Sequence, residues 1–290
     1  MTYHQLIFQA YSLLEKKLRN PQVAFQLLYG LDNKINDSYS FSNNRLTIVN
    51  SNLEYTYFKL LDEFINGKPL VRILGYGYFC AKRFYVDKNV FAFRVETELL
   101  IDVVNKVIQQ STYKIKNVID VCCGSGVLGL STKMNFNQLN VSLLDISIDA
   151  INNCKKNAKY HNLTNVNFIH KSMQEYFLNT KKRFDLIICN PPYIKSNYEL
   201  NREVLDYDPI NALIDFDHKD GISFYLFIIN NIKSIANEKF TIIFEIGFDQ
   251  KEILEKVIKK NEFPLFYYFI NDYNNLCRIL IISNIKYENL

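Results

Sequence analysis

The chain has 290 residues, 48% of them hydrophobic and 22% charged, with a formal net charge of +4. Such a chain holds one large domain, or an ordinary α/β domain with a smaller one attached, and no stretch approaches membrane-spanning length. Residues 1–90 carry 11 Lys or Arg against 7 Asp or Glu, and the remaining residues carry 23 of each, so the basic surplus lies in the first third. That bias suggests an acidic or nucleic-acid-associated partner, or simply a solvated helical surface, and falls short of a dense basic patch. The six cysteines, Cys80, Cys122, Cys123, Cys154, Cys189 and Cys277, form no CxxC pair and show no metal spacing, which fits a reducing compartment and no metal site. The start, MTYHQLIFQAYSLLEKKL, lacks a basic leader followed by an apolar core, so a soluble cytoplasmic protein is expected.

In chain order, Leu6, Ala10, Leu13, Leu14 and Leu18 recur at helical spacing within Gln5 to Leu18, and Asn20-Pro21 separates them from a second helix through Val23 to Tyr29. Residues 32–44 are polar and read as irregular. A third helix, Leu53 to Ile65, ends at Asn66-Gly67 before Pro69. The expectation is a helical domain over residues 1–72, then a β-hairpin linker over 73–93, whose aromatic run GYGYFCAKRFYVDKNVFAF alternates like a strand pair. From 94 to 290 the pattern changes. After a helix near Glu96 to Gln109, strands NVIDV, NVSLLD, NVNFIH and FDLIIC alternate with helices from Val127 and from Ile148 to Tyr160. Strands over 240–247, 263–270 and 277–283 follow, the last two separated only by NDYNNL, too short for a crossover helix, so they pair antiparallel.

Two strand ends carry chemistry. In IDVCCGSGVLGLS, Gly124 and Gly126 sit between a strand and a helix, where glycine permits tight turning and free amides favour polar or anionic groups. Asp145 ends the next strand, placed to accept both ribose hydroxyls of a nucleoside cofactor, with Ile146 beside it. By itself this pattern is also that of an ordinary glycine turn. Two features argue against a dinucleotide: GSGVLG is shifted in its spacing from the strand, and Asp120 makes the loop acidic. An acidic loop repels a pyrophosphate and suits the cationic methionyl part of S-adenosylmethionine.

The second strand end is FDLIICNPPYIKS, residues 184–196. Its apolar run reads as a strand buried on both faces, and Pro191 and Pro192 stop it, holding Asn190 in a stiff extended turn where open α/β sheets bind ligands. NPPY is similar to the motif of methyltransferases that act on planar, amide-like nitrogen. The Asn190 side-chain oxygen and the Pro191 carbonyl can accept both hydrogens of an NH2 group, Pro192 stiffens the turn, and the Tyr193 ring can wall the pocket. No side-chain base is demanded, because the proton becomes acidic as the nitrogen is alkylated. A strand-terminating turn without chemistry is the bland reading.

Taken together, GKPLVRILGYGYF, VFAFRVETELL, DVCCGSGVLGLS, LLDISIDAINNCKKNAKYHN, FDLIICNPPYI, VLDYDPINALIDFDHKDGISFY and FEIGFDQ, in this order, resemble the HemK or PrmC family, which methylates the glutamine of the Gly-Gly-Gln loop of peptide chain release factors. The resemblance spans nearly the whole chain, and Arg94-x-Glu96-Thr97-Glu98 and Asp208-Pro209 are its specific parts. It implies a seven-stranded Rossmann-like methyltransferase sheet, parallel with an antiparallel terminal hairpin, plus a small N-terminal helical domain that docks the release factor. It implies S-adenosylmethionine bound by Asp120, Cys122, Gly124, Gly126, Asp145, Ile146, Ser172, Met173 and Asn190, and a substrate pocket built from Phe93, Arg94, Glu96, Thr97 and Glu245. Arg94 and Glu96 are candidates for an ion pair shaping that pocket, and Glu245 for a strand-end carboxylate.

Four positions depart from the family pattern. Cys122 stands where the loop's first glycine is expected, Ser172 where an acidic residue would meet the adenine amine, with Gln174 and Glu175 as alternatives, and Phe93 and Val95 replace two prolines. NPPY also fits a ribosomal-protein glutamine or a flipped adenine, and Cys122 and Ser172 motivate a third reading, binding to a release factor without turnover. Adenine flipping needs a phosphate-gripping surface, and the catalytic region is neutral by count, which favours a protein substrate and no direct nucleic-acid contact. Nothing in the sequence specifies an oligomer.

Overall fold

The computed structural model describes residues 1–199, 206–261 and 264–288. The chain divides into two compact units, one covering Met1–Gly77 and the other running from Tyr78. In the first, α1 (Tyr3–Lys16) starts from a capping box in which Thr2 Oγ1 accepts from the Gln5 amide and the Gln5 side chain accepts from the Thr2 amide. Its buried face is Tyr3, Leu6, Ile7, Ala10 and Leu14, whereas Leu13 is 37% and Leu18 95% exposed. Leu18 lies beyond the helix end with φ of 52°, so it never reaches the expected apolar stripe. Helix α2 (Val23–Leu31) contributes Val23, Ala24, Leu27 and Leu28 to the same core, and α4 (Ser51–Ile65) adds Tyr57, whose hydroxyl donates to the Ala24 carbonyl, and Leu61.

Between them lies α3 (Ser38–Asn44), in the stretch expected to be irregular. Its origin is local: the Asp37 carboxylate accepts from the Ser40 amide, the Ser40 hydroxyl closes the box, and none of its residues is buried, so no apolar period marks it. A short α5 (Leu70–Leu74) follows Pro69.

Strands β1 (Tyr76–Phe79) and β2 (Lys82–Tyr85) form a two-stranded sheet, and the turn residues Cys80 and Ala81 both have positive φ, as this tight turn requires. The hairpin is shorter than the expected 73–93. Residues 86–93 pair with no strand, because side chains satisfy their backbone: the Asp87 amide donates to Asn153 Oδ1 and the Ala92 amide to Asp208 Oδ1. Phe93 is anchored by edge contacts with Phe79 and Phe84.

A 3₁₀ turn over Val95–Thr97 leads into α6 (Glu98–Gln110). Strands β3 (Asn117–Val121), β4 (Asn140–Asp145), β5 (Val166–His170) and β6 (Phe184–Cys189) alternate with α7 (Val127–Asn135), α8 (Ile148–Tyr160) and α9 (Met173–Asn179). After the two-residue strands β7 (Ile194–Lys195) and β8 (Ile214–Asp215) come α10 (Ser223–Asn230), α11 (Ile232–Ile235), β9 (Ala236–Glu245), α12 (Lys251–Lys259), β10 (Phe266–Asn271) and β11 (Cys277–Ser283). β9 starts four residues earlier than its apolar run suggested. Phe263, the expected start of β10, lies outside the described residues.

The large sheet has seven strands in the order β10-β11-β9-β6-β3-β4-β5. The β9-β6-β3-β4-β5 pairs are parallel, and β11 runs antiparallel to both β9 and β10. Alternate residues feed two cores: Val118, Leu186 and Ile188 pack with Leu100, Val104 and Leu128 on one face, while Ile119, Ile187 and Cys189 pack with Phe177, Tyr225 and Leu254 on the other. All six residues of β6 are buried, which is why its sequence reads as an unbroken apolar run. The strand order reverses between β3 and β6, so the carboxyl ends of these two strands flank the crevice of a doubly wound sheet. Among the described residues no helix is long and apolar enough to cross a membrane, and no cluster of His, Cys, Asp or Glu is arranged to hold a metal ion.

Candidate active site

At that crevice a cavity of about 510 Å³ is lined by the loop after β3, the ends of β4 and β6, the start of α9, residues of the 89–97 segment and residues 209–212. Its size falls in the ordinary range for ligand pockets, about 300–1,000 Å³.

The loop after β3 is shaped by two constraints. Cys122 has φ of +58°, in the left-handed region where an L side chain is disfavoured and glycine is at home, which explains why a glycine is expected there. Gly126, with φ of +81°, starts α7, and a Cβ there would meet Cys154 Sγ at 2.8 Å. The carboxylate of Asp145 ties the loop to β4: Oδ2 accepts from the Gly124 amide at 2.9 Å and Oδ1 from the Ser147 amide at 2.9 Å. Each oxygen keeps a further lone pair, and Asp145 lines the cavity. Burial pushes its carboxyl up, and the amides donated by Ser147, Gly124 and Ile146 pull it back.

Asp120 sits deeper. It is fully buried and does not line the cavity; Oδ2 accepts from the Gly129 amide in the first turn of α7 at 2.8 Å, and Oδ1 has no partner among the described residues. Burial raises its carboxyl from 3.8 to about 7, with the Gly129 amide opposing and Asp145 adding to the rise. It is thus a loop-holding acid beneath the site rather than an exposed ligand. Two asparagines on α8 hold the same loop from the other side. Asn153 and Asn157 donate to the Tyr85 and Ser125 carbonyls while accepting from the Asp87 and Tyr85 amides, joining the loop to the 85–87 segment.

Of the other residues expected at the cofactor, Cys122, Gly124, Ile146, Ser172, Met173 and Asn190 line the cavity and Gly126 stays behind it. Ser172 is occupied as the N-cap of α9, its hydroxyl accepting from the Glu175 amide at 3.0 Å. Of its two neighbours, Gln174 lines the cavity, whereas Glu175 pairs with Lys171 at 2.5 Å. These features suit a nucleoside cofactor: a two-oxygen acceptor at Asp145, the apolar and 70% exposed Ile146 at the rim, and an acidic, glycine-bearing loop.

The NPPY turn follows β6. Asn190 and Pro192 line the cavity, Pro191 is buried, and the Asn190 side chain makes no hydrogen bond among the described residues. Gln250 holds the turn from below: Nε2 donates to the Tyr193, Asp220 and Gly221 carbonyls at 2.9–3.0 Å, and Oε1 accepts from the Gly247 amide. Gly221 lies so close that a Cβ would stand 2.1 Å from the Tyr193 oxygen. Tyr193 is not among the lining residues; its hydroxyl donates to Glu245 Oε1 at 3.2 Å, and burial raises its phenol far above the ordinary value.

Of the expected substrate-pocket residues, Phe93 and Thr97 line the cavity, and Arg94, Glu96 and Glu245 do not. The candidate Arg94–Glu96 pair is not formed among the described residues. Glu96 is exposed, and Arg94 Nη2 instead meets Asp208 Oδ2 at 2.6 Å with its guanidinium over the Phe91 ring. Asp208, on a neighbouring loop, also accepts from the Ala92 amide, so one carboxylate joins the Phe91–Arg94 segment to Pro209 and Ala212 of the opposite wall. Sequence reasoning missed Asn89, Phe91, Asn211 and Asp217 as lining residues and Gln250 as the support of the turn. The quoted segments contain most of them, but no period or spacing distinguishes them.

The family model for a methyltransferase small domain matches residues 82–206. The chain is 33% identical over 267 residues to a release factor glutamine methyltransferase of Clostridium botulinum, covering 91% of this chain and 93% of that one. It is 35% identical over 233 residues to one of Mycoplasma mycoides subsp. mycoides SC, covering 79% and 81%. The chain belongs to the release factor glutamine methyltransferase family. Among solved structures it is similar to a release factor-specific protein-(glutamine-N5) methyltransferase from Alicyclobacillus acidocaldarius, with 16% identity, a TM-score of 0.41, and coverage of 66% of this chain and 93% of that one. As a member of this family the chain is a methyltransferase, and the cavity at the β3–β6 crevice is its candidate active site.

Proposed function

We propose that this methyltransferase carries the methyl group of S-adenosylmethionine to the side-chain amide nitrogen of the glutamine in the Gly-Gly-Gln motif of peptide chain release factors, in the cytoplasm. The observation that carries the reading is one cavity lined both by Asp145 and the loop after β3 and by Asn190 and Pro192. When bound, the cofactor supplies an electrophilic methyl group. Asp145 would hold its ribose, Ile146, Met173 and Gln174 its adenine, and the Cys122–Ser125 loop its methionyl part. Beside them, the Asn190 amide oxygen, without a hydrogen bond among the described residues, and the Pro191 carbonyl accept the two hydrogens of the glutamine NH2 and orient its nitrogen. Because that lone pair is delocalised into the amide, orientation is the main device available to the protein. The helical domain, residues 1–72, docks the factor.

The test is to incubate the protein with S-adenosylmethionine and a release factor and sequence the Gly-Gly-Gln peptide by mass spectrometry. One methyl on that glutamine is expected. Methylation confined to a ribosomal-protein glutamine or to adenine in nucleic acid would replace this reading.

A further inference from the structure

Two buried thiols at the cofactor loop have no part in the function proposed above. Cys123, 6% exposed, lies in the loop after β3 and lines the cavity; Cys154, fully buried, stands on α8. Their sulfurs are 3.7 Å apart, in van der Waals contact, although 31 positions separate them in sequence. Gly126 makes room for this approach, since a Cβ there would meet the Cys154 sulfur at 2.8 Å. Cys154 also holds the loop: its thiol donates to the Gly124 carbonyl at 3.3 Å, while the Gly124 amide donates to Asp145 Oδ2 at 2.9 Å. Gly124 is thus tethered on one side by a thiol and on the other by the carboxylate that would hold the ribose.

Resting on the cofactor reading above, we propose that Cys123 and Cys154 are a redox clasp on the cofactor loop, which hydrogen peroxide or an organic hydroperoxide closes to a disulfide and which bound cofactor shields. Cys123 is the thiol that lines the cavity, so its sulfur attacks the O–O bond; one oxygen stays on sulfur as a sulfenic acid, and the other leaves as water or an alcohol. The Cys154 sulfur then displaces that hydroxyl, forming the S–S bond and releasing water. The two thiols give up two electrons and two protons, and the peroxide takes up both. Closing the bond draws the sulfurs together by roughly 1.7 Å and removes the proton with which Cys154 donates to Gly124. The loop loses that tether and is pulled toward α8, and cofactor affinity falls. Burial holds the Cys123 thiol well above its ordinary value, with Cys154, Asp145 and Asp120 adding to the rise. Little thiolate is therefore present at neutral pH, and the clasp closes under sustained peroxide rather than a brief pulse.

The experiment treats the reduced full chain with hydrogen peroxide, quenches with catalase, and maps disulfides by digestion after lysine and arginine without reductant. Affinity for S-adenosylhomocysteine is measured by calorimetry before treatment, after it, and after dithiothreitol. Cys123→Ser and Cys154→Ser run in parallel, serine at 154 keeping a donor for the Gly124 carbonyl. The clasp predicts a cross-link between peptides 117–133 and 134–155 in the wild type alone. It also predicts a loss of affinity on the order of tenfold that reductant restores, and slower cross-linking when S-adenosylhomocysteine is bound. No such link, or a link from 117–133 to 184–195 that joins the loop to Cys189 instead, overturns the proposal. So does a link that leaves affinity unchanged or forms equally fast with ligand bound, or a Cys154→Ser variant that loses as much affinity on treatment as wild type. A reduced wild type that binds no S-adenosylhomocysteine sinks the cofactor reading instead; the cross-link, read without any ligand, then still decides whether the clasp closes.

Discussion

Asp120→Asn is expected to stabilise the protein at alkaline pH, although it alters a residue of the cofactor loop. In the folded chain Asp120 is fully buried, with one amide donor at 2.8 Å and one oxygen without a partner among the described residues. Its carboxyl is raised from 3.8 to about 7. With the folded value above the unfolded one, the folded state binds more protons between these limits, so this group's stabilising contribution is full at low pH and is lost as pH rises through about 7. At about 1.4 kcal/mol per pH unit, the loss has a ceiling of roughly 4 kcal/mol. Asparagine keeps the volume and the acceptor for Gly129 but leaves an amide NH2 where Oδ1 was, at a cost of about 1–3 kcal/mol. The charge term is the larger, so a net gain of about 1–3 kcal/mol at pH near 8 follows. Urea unfolding at acidic and alkaline pH measures it, and the variant should show a flatter pH dependence than wild type. A variant less stable than wild type at alkaline pH, or one with an equal pH slope, would refute the reasoning. Removing the negative charge should also weaken binding of a cationic cofactor, a trade of affinity for stability.

Cys122→Gly relieves a left-handed residue, worth about 1–2 kcal/mol, against the lost packing of a small side chain, about 1 kcal/mol. Stability should change little, while S-adenosylmethionine binds more tightly, on the order of tenfold by calorimetry, because backbone approaches the ligand where Sγ stood; unchanged or weaker binding would count against the crowding. Asp208→Ala leaves the buried Ala92 amide without its acceptor. Because Arg94 is 38% exposed, solvent screens much of the lost ion pair. A loss of about 2 kcal/mol in urea unfolding, with KM for the protein substrate raised more than cofactor affinity is weakened, is expected if Asp208 holds the cavity wall; equal effects on both would deny it that role.

Much of the sheet was legible because burial on both faces leaves a plain mark: the run ending at Cys189 reads as a central strand, and six residues between the last two strands force an antiparallel pair. The strand-end residues Asp145 and Asn190 were legible for the same reason, since a carboxyl-terminal strand end in such a sheet faces the crevice. What stayed hidden depends on partners far away in sequence or on none. Helix α3 buries nothing and rests on the Asp37–Ser40 box, so it has no apolar period. Residues 86–93 resemble a strand by composition, yet Asn153 and Asp208 take their amides. Arg94 was a candidate to pair two residues away with Glu96, but it meets a carboxylate 114 residues on. Tyr193 was expected to wall the pocket, and its hydroxyl instead turns to Glu245.

The most direct test of the central claim is transfer of labelled methyl from S-adenosylmethionine to a purified release factor, beside the same factor with its Gly-Gly-Gln glutamine replaced by alanine. Label entering only the unaltered factor, and lost with Asn190→Ala in a protein that still folds and binds cofactor, is the predicted result. Label entering both factors alike, or neither while a known active family member works in parallel, would contradict the account.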